Sequence, residues 1–145
     1  MIIVDDEKSW IPAALLAFKL KVPTATNRDI GTGEFDYQPY IILGKTFDKW
    51  VFNINLGYDF VTSPKDEPLR NQLIYDFSTE YKITEKLSVF AEIFGNSSPT
   101  VGEKSTFAGA LATEYKFTKH LSAYLSVGYD TDQLLAIRPG FNIEF

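Results

Sequence analysis

Trp50-Val51-Phe52-Asn53-Ile54-Asn55-Leu56-Gly57-Tyr58-Asp59-Phe60-Val61 alternates without a break. Trp50, Phe52, Ile54, Leu56, Tyr58 and Phe60 fall on one face of an extended chain, and Val51, Asn53, Asn55, Gly57, Asp59 and Val61 on the other. A period of two marks a strand, because successive side chains leave a pleated backbone on opposite sides. Residues 73–83 and 107–117 repeat the pattern, and weaker versions run over 11–22, 35–47, 87–96, 121–130 and 135–145. The reading is an all-β chain of eight strands without a helix: a polar tail over 1–9, then a single domain over 10–145.

The connections are of two kinds. Asp48-Lys49, Thr84-Glu85-Lys86 and Thr118-Lys119-His120 are tight, while 23–34, 62–70 and 97–105 are long and rich in turn formers. The remaining link, 131–133, is short but belongs to the long-loop side. An up-and-down antiparallel meander with turns at one end and loops at the other accounts for this. Thr79-Glu80-Tyr81-Lys82-Ile83-Thr84 and Thr113-Glu114-Tyr115-Lys116-Phe117-Thr118 repeat within it, each followed by a Leu-Ser step. Pro39 and Pro139 fall inside strands, where each removes a ladder donor, so a bulge or a broken ladder is expected at both.

Alternation does not say which face is inside, but volume does. The chain holds 12 Phe, 8 Tyr and 2 Trp, and sixteen of these share the apolar face. A barrel of about eight strands is just wide enough for side chains to fill. Sixteen rings plus the aliphatics would overfill it, so they point outward. The other face is mostly Gly, Ala, Ser and Asn with charges of both signs, although residues 35–47 place Tyr40 and Ile42 there. Its charged residues include Lys19, Lys21, Asp36, Asp59, Asp76, Glu80, Lys82, Glu92, Glu114, Lys116, Asp130, Arg138 and Glu144. These are read as an internal network, because such charges are tolerated only when paired or hydrated.

An outward apolar face implies a membrane. Ten steps of about 3.4 Å tilted by roughly 40° project onto about 26 Å, close to the apolar band of outer-membrane barrels. Aromatics gather where the interfaces would fall. Trp10, Phe47, Trp50, Tyr81, Tyr115, Phe117 and Phe145 lie at the tight-turn end, and Tyr37, Tyr58, Phe60, Phe107 and Tyr129 at the loop end. These are the expected girdles.

The ending Gly140-Phe141-Asn142-Ile143-Glu144-Phe145 resembles the C-terminal assembly signal of bacterial outer-membrane barrels. Three further stretches are Phe18-Lys19-Leu20-Lys21-Val22-Pro23-Thr24, Gly44-Lys45-Thr46-Phe47-Asp48-Lys49-Trp50 leading into Asn55-Leu56-Gly57-Tyr58, and Phe90-Ala91-Glu92-Ile93-Phe94-Gly95. They resemble the C-terminal part of the outer-membrane transporter family named for the meta-pathway of phenol degradation. That resemblance implies a Gram-negative outer-membrane barrel engaged in uptake of small, aromatic or hydrophobic compounds. Members of the family are longer, which implies a C-terminal piece, an engineered derivative or a small natural relative.

Motifs for chemistry are poor. Gly44-Lys45-Thr46 ends like a phosphate loop but lies in a strand, and its first glycine would fall at Pro39. Asp130-Thr131-Asp132 starts like a calcium loop, yet Leu134 stands where the third ligand belongs. Asn96-Ser97-Ser98 matches a glycosylation acceptor without meaning in a bacterial outer membrane. His120, the single histidine, sits in a tight turn, whereas outer-membrane hydrolases and acyltransferases resemble one another in placing one at the external rim. The acid pairs Asp76 with Glu80 and Glu92 with Glu144 are the remaining acid–base candidates, but a narrow polar lumen needs paired charges for structural reasons alone, and that reading is preferred. No catalytic, cofactor or metal site is expected, and the chain is not expected to be an enzyme.

Composition agrees. There is no cysteine, so no disulfide or thiolate chemistry. The 14 basic against 19 acidic residues give a net charge of -5, which disfavours nucleic acid. No stretch approaches a spanning helix. The residues after Met1 lack the basic start and apolar core of a signal peptide, so an export signal is expected to have been removed. The expected partners are lipid or detergent, and the outer-membrane assembly machinery through Phe145. Two functions follow: a passive, porin-like transporter, or a closed non-conducting barrel serving as structure or scaffold. A soluble lipocalin-like binder is third.

Overall fold

The chain forms one antiparallel sheet, seen in a computed structural model that describes residues 2–5, 7–25, 31–131 and 135–144. Its strands are β1 (Ile2–Asp5), β2 (Ala13–Lys21), β3 (Asp36–Phe47), β4 (Trp50–Asp59), β5 (Gln72–Lys82), β6 (Leu87–Asn96), β7 (Thr106–Lys116), β8 (Leu121–Asp130) and β9 (Leu135–Ile143). Each pairs only with its neighbours in sequence, in the order β1 through β9. The eight strands read from alternation are β2 to β9, with ends shifted by at most two residues. β1 is an addition on the segment read as a tail; it pairs with β2 from Ala14 to Leu16, with an irregularity between Ile3 and Asp5. Among the described residues β9 pairs with β8 alone, so the sheet has two edges.

The turns follow from their residues. Phe47 and Trp50 pair across a two-residue turn in which Asp48 takes a left-handed backbone (φ 53°), a conformation Asp tolerates better than most. In the next two turns a threonine hydroxyl caps the bend. Thr84 Oγ1 accepts from the amides of Lys86 (3.2 Å) and Leu87 (3.0 Å), and Thr118 Oγ1 accepts from that of His120 (3.1 Å).

The two strand prolines behave differently. Tyr37 and Phe60 exchange both backbone hydrogen bonds, so every second residue of β3 from Tyr37 onward, Pro39 included, points its amide position at β4. Pro39 has no N–H to give. The β3–β4 ladder is interrupted between Tyr37↔Phe60 and Tyr40↔Gly57, with the register intact on both sides. The expected break at Pro139 does not occur, since β8 and β9 pair continuously from Leu121↔Ile143 to Tyr129↔Leu135. The Glu144 amide donates to the His120 carbonyl, which puts Pro139 in a non-hydrogen-bonded pair with its nitrogen facing the free edge. A proline there costs the ladder nothing.

The faces are inverted relative to a soluble protein. Among the described residues Ala108 is the one buried hydrophobic side chain, whereas Asp36, Ser88 and Ser122 are each only 6% exposed. Phe18, Ile54, Leu56, Tyr58, Leu111, Ile137 and Phe141 stand in the open. The polar face is therefore the sheltered, inner one.

Candidate functional site

On the outer face the aromatics named as girdles lie toward the two ends of the strands, and Phe52, Tyr75 and Phe77 lie between them. Phe47 is opposite Trp50, and Trp50 opposite Tyr81, with ring centroids of the latter pair 4.6 Å apart. Tyr115 and Phe117 continue that end (5.2 Å), and Trp10 is 81% exposed beyond it. At the loop end Tyr58 and Phe60 meet edge to face at 4.9 Å, Phe60 bridges to Tyr37, and Tyr129 is exposed opposite Gly109. Phe145 lies outside the described residues.

Register places all the charged residues named above on the inner face, Glu144 just past the end of β9. They form three groups rather than one network. At the loop end, Asp36 is the hub. It receives Lys21, whose ammonium also donates to Thr32 Oγ1 (2.8 Å), and its second oxygen accepts the Thr62 amide at 2.9 Å. A single buried carboxylate thus ties two long loops to the sheet. Lys19 and Asp59 are nearby, and Asp59 Oδ1 has no hydrogen-bond partner among the described residues.

At the turn end, the sequence repeat has a structural meaning. Ser88 Oγ donates to Glu80 Oε1 at 2.6 Å, and Ser122 Oγ donates to Glu114 Oε1 at 2.5 Å. Both bonds run diagonally across a hairpin, between the residues just inside the turn. Lys82 and Lys116 flank them, but among the described residues neither forms an ion pair. Glu114, Lys116, His120, Asn142 and Glu144 line a cavity of about 320 Å³ there.

The middle group is acidic on one side. Asp76 of β5 and Glu92 of β6 are diagonal neighbours, since Asp76 pairs with Phe94 and Ser78 with Glu92, and Asp76 Oδ1 lacks a partner. The acid pairs read from sequence are not brought together: Glu80 is taken by Ser88, and Glu92 and Glu144 line different cavities. Pairing register, invisible in a single sequence, selects Asp76 with Glu92 instead. Glu92, Asp130 and Arg138 line a cavity of about 350 Å³ floored by Ala108, Ala110 and Gly128. A further cavity of about 340 Å³ contains Lys19, Tyr40, Ile42, Asn55 and Asp76, so the apolar Tyr40 and Ile42 do face inward. Among the described residues no group of three or more His, Asp or Glu side chains is arranged to hold a metal.

One charge breaks the pattern. Lys45 is on the outer face of β3, between Leu43 and Phe47 in phase. Glu7 neutralises it. Its Oε1 accepts from Lys45 Nζ (2.8 Å) and from the Thr46 amide (3.0 Å), and the Ser9 carbonyl also receives Lys45. The Lys45 ammonium, with the Thr46 amide, holds the Glu7 carboxyl below the ordinary value of 4.5. Sequence reading missed this clasp, because a polar tail gives no sign of its docking point.

An inverted meander with aromatic belts and polar inner rows is the build of a membrane barrel wall. Residues 2–133 match the family described as "Putative MetA-pathway of phenol degradation". The chain belongs to this family. Membership and the all-β fold are consistent with a place in the bacterial outer membrane. Neither a curated protein nor a solved structure matches the chain.

Proposed function

We propose that this chain builds the wall of a bacterial outer-membrane barrel and passes small polar or aromatic molecules along its inner face, without catalysis. The observation that carries the reading is the combination of an exposed apolar face with unfilled polar cavities of about 320 to 350 Å³ on the other. A closed structural barrel fills its interior with side chains or paired charges. Here Lys21 is the lumen base with an ion partner; among the described residues Lys19, Lys82, Lys116 and Arg138 form no ion pair. Lipid is the partner of the outer face, and the assembly machinery would read the segment that ends at Phe145. A soluble binder would have to leave the aromatic belts in water.

The test is refolding of the full chain into lipid vesicles, followed by unheated gel mobility and planar-bilayer conductance. Discrete current steps from a heat-modifiable barrel uphold the reading. A folded barrel without current turns it into the closed scaffold, and a stable monomer in plain buffer refutes the membrane altogether.

A further inference from the structure

The cavity between β6 and β9 has a chemistry of its own. Two rows of paired residues cross its floor: Glu92, Ala110, Gly128 and Ala136 in one, and Phe90, Ala112, Ser126 and Arg138 in the next. Arg138 leans out of its row, with Nη1 3.6 Å from where a Cβ on Gly128 would stand. With no side chain, Gly128 leaves that space to the guanidinium, and a methyl there would stand in ordinary contact with it. The guanidinium thus hangs over β8 and faces Glu92 on β6, with the small Ala110 between them. The strands that carry these opposite charges are three spacings of about 4.8 Å apart, and the guanidinium's place over β8 shortens the gap to β6 to about two of them. They do not meet: among the described residues Arg138 forms no ion pair, and Asp130, at the loop end, already has a partner. Phe90 and Phe94 flank Glu92 two residues to either side, on the same face.

A fork of donors, a flat floor, two phenyl walls and an acceptor opposite describe a particular ligand. We propose that this cavity binds a small aromatic acid carrying a hydroxyl or amino group at its far end. The carboxylate takes the Arg138 fork, the ring lies over Ala110 and Gly128 beside Phe90 and Phe94, and the far donor reaches Glu92. A planar guanidinium matches a carboxylate with two parallel hydrogen bonds, which a lysine cannot do. The proposal rests on the inner face being the solute path and adds to it a site with selectivity.

The experiment titrates the full chain, refolded in detergent micelles, with 4-hydroxybenzoate, benzoate and phenol, following amide shifts by NMR. Saturable binding of 4-hydroxybenzoate is expected, with benzoate and phenol at least about ten-fold weaker. Arg138→Gln should weaken the two carboxylates about ten-fold and leave phenol unchanged. Glu92→Gln should weaken 4-hydroxybenzoate and phenol and leave benzoate unchanged. Arg138→Lys, which keeps the charge, should recover only part of the loss. Unheated gel mobility confirms that each variant is folded. Equal loss for all three compounds, or no saturation with the folded wild type, overturns the site. Conductance without saturable binding also overturns it while leaving the path intact, and binding without conductance upholds the site and refutes the path.

Discussion

Replacing Ile54 and Asn55 by lysine, one at a time, tests the inverted faces at adjacent positions. Ile54 is four residues from Trp50 and five from Asp59, so it is near the middle of β4. Nine steps of about 3.4 Å, tilted by roughly 40°, span about 23 Å, which puts both residues close to the bilayer midplane. Ile54 faces outward, 37% exposed, beside Leu43 and Phe77. Lysine on the lipid side at that depth costs about 2 to 4 kcal/mol. At 1.36 kcal/mol per decade this is about a 30- to 900-fold loss in the folding equilibrium. Asn55 is directly across from Asp76, whose Oδ1 has no partner, so lysine there gains an opposite charge and should change stability by no more than about 1 kcal/mol. Urea titration of folding into lipid vesicles measures both. Equal penalties, or a larger one for Asn55→Lys, would show that the polar face is not the inner face.

Three further outcomes follow from particular contacts. Ser88→Ala and Ser122→Ala should each cost about 1.5 to 3 kcal/mol in denaturant curves, because each strips a charged acceptor of its hydroxyl; a negligible change in either would separate the two halves of the repeat. Pro39→Ala should supply the missing donor to β4, stabilise by about 0.5 to 1.5 kcal/mol and show a protected amide at position 39, whereas Pro139→Ala should leave β8–β9 exchange as it was. The Glu7 clasp should respond to acid. Because its folded pKa is depressed, its contribution is present above the ordinary 4.5 and is lost as pH falls through the lower folded value. Protection of the Thr46 amide, measured relative to its intrinsic exchange rate, should therefore fall in acid, and Glu7→Gln should abolish that dependence.

The strands were legible because each needs only its own alternation. Trp50 to Asp59 carries its period in ten residues, and no neighbour has to be known. β1 is four residues long, too short for a pattern, and exists through its pairing with β2. The prolines mark the limit of local reading: Pro39 and Pro139 look alike in sequence, and only the hydrogen-bond parity of their strands decides which one breaks a ladder. The inner charges show the same limit. Their face follows from alternation, but their partners follow from register, and register joined Asp76 to Glu92 and Ser88 to Glu80.

The small strand β1 also fixes the parity of the sheet. Counting from β2, the last strand is the eighth and runs opposite to the first, so β2 and β9 could join by the same perpendicular hydrogen bonds that link every other pair. Counting from β1, it is the ninth and runs the same way, and a seam between β1 and β9 would need the slanted, parallel pattern found nowhere else among the described residues. Because β1 covers β2 only from Ala14 to Leu16, the stretch from Ala17 to Lys21 is left open to an antiparallel seam, and lengthening that seam toward Ala13 requires β1 to give up its place.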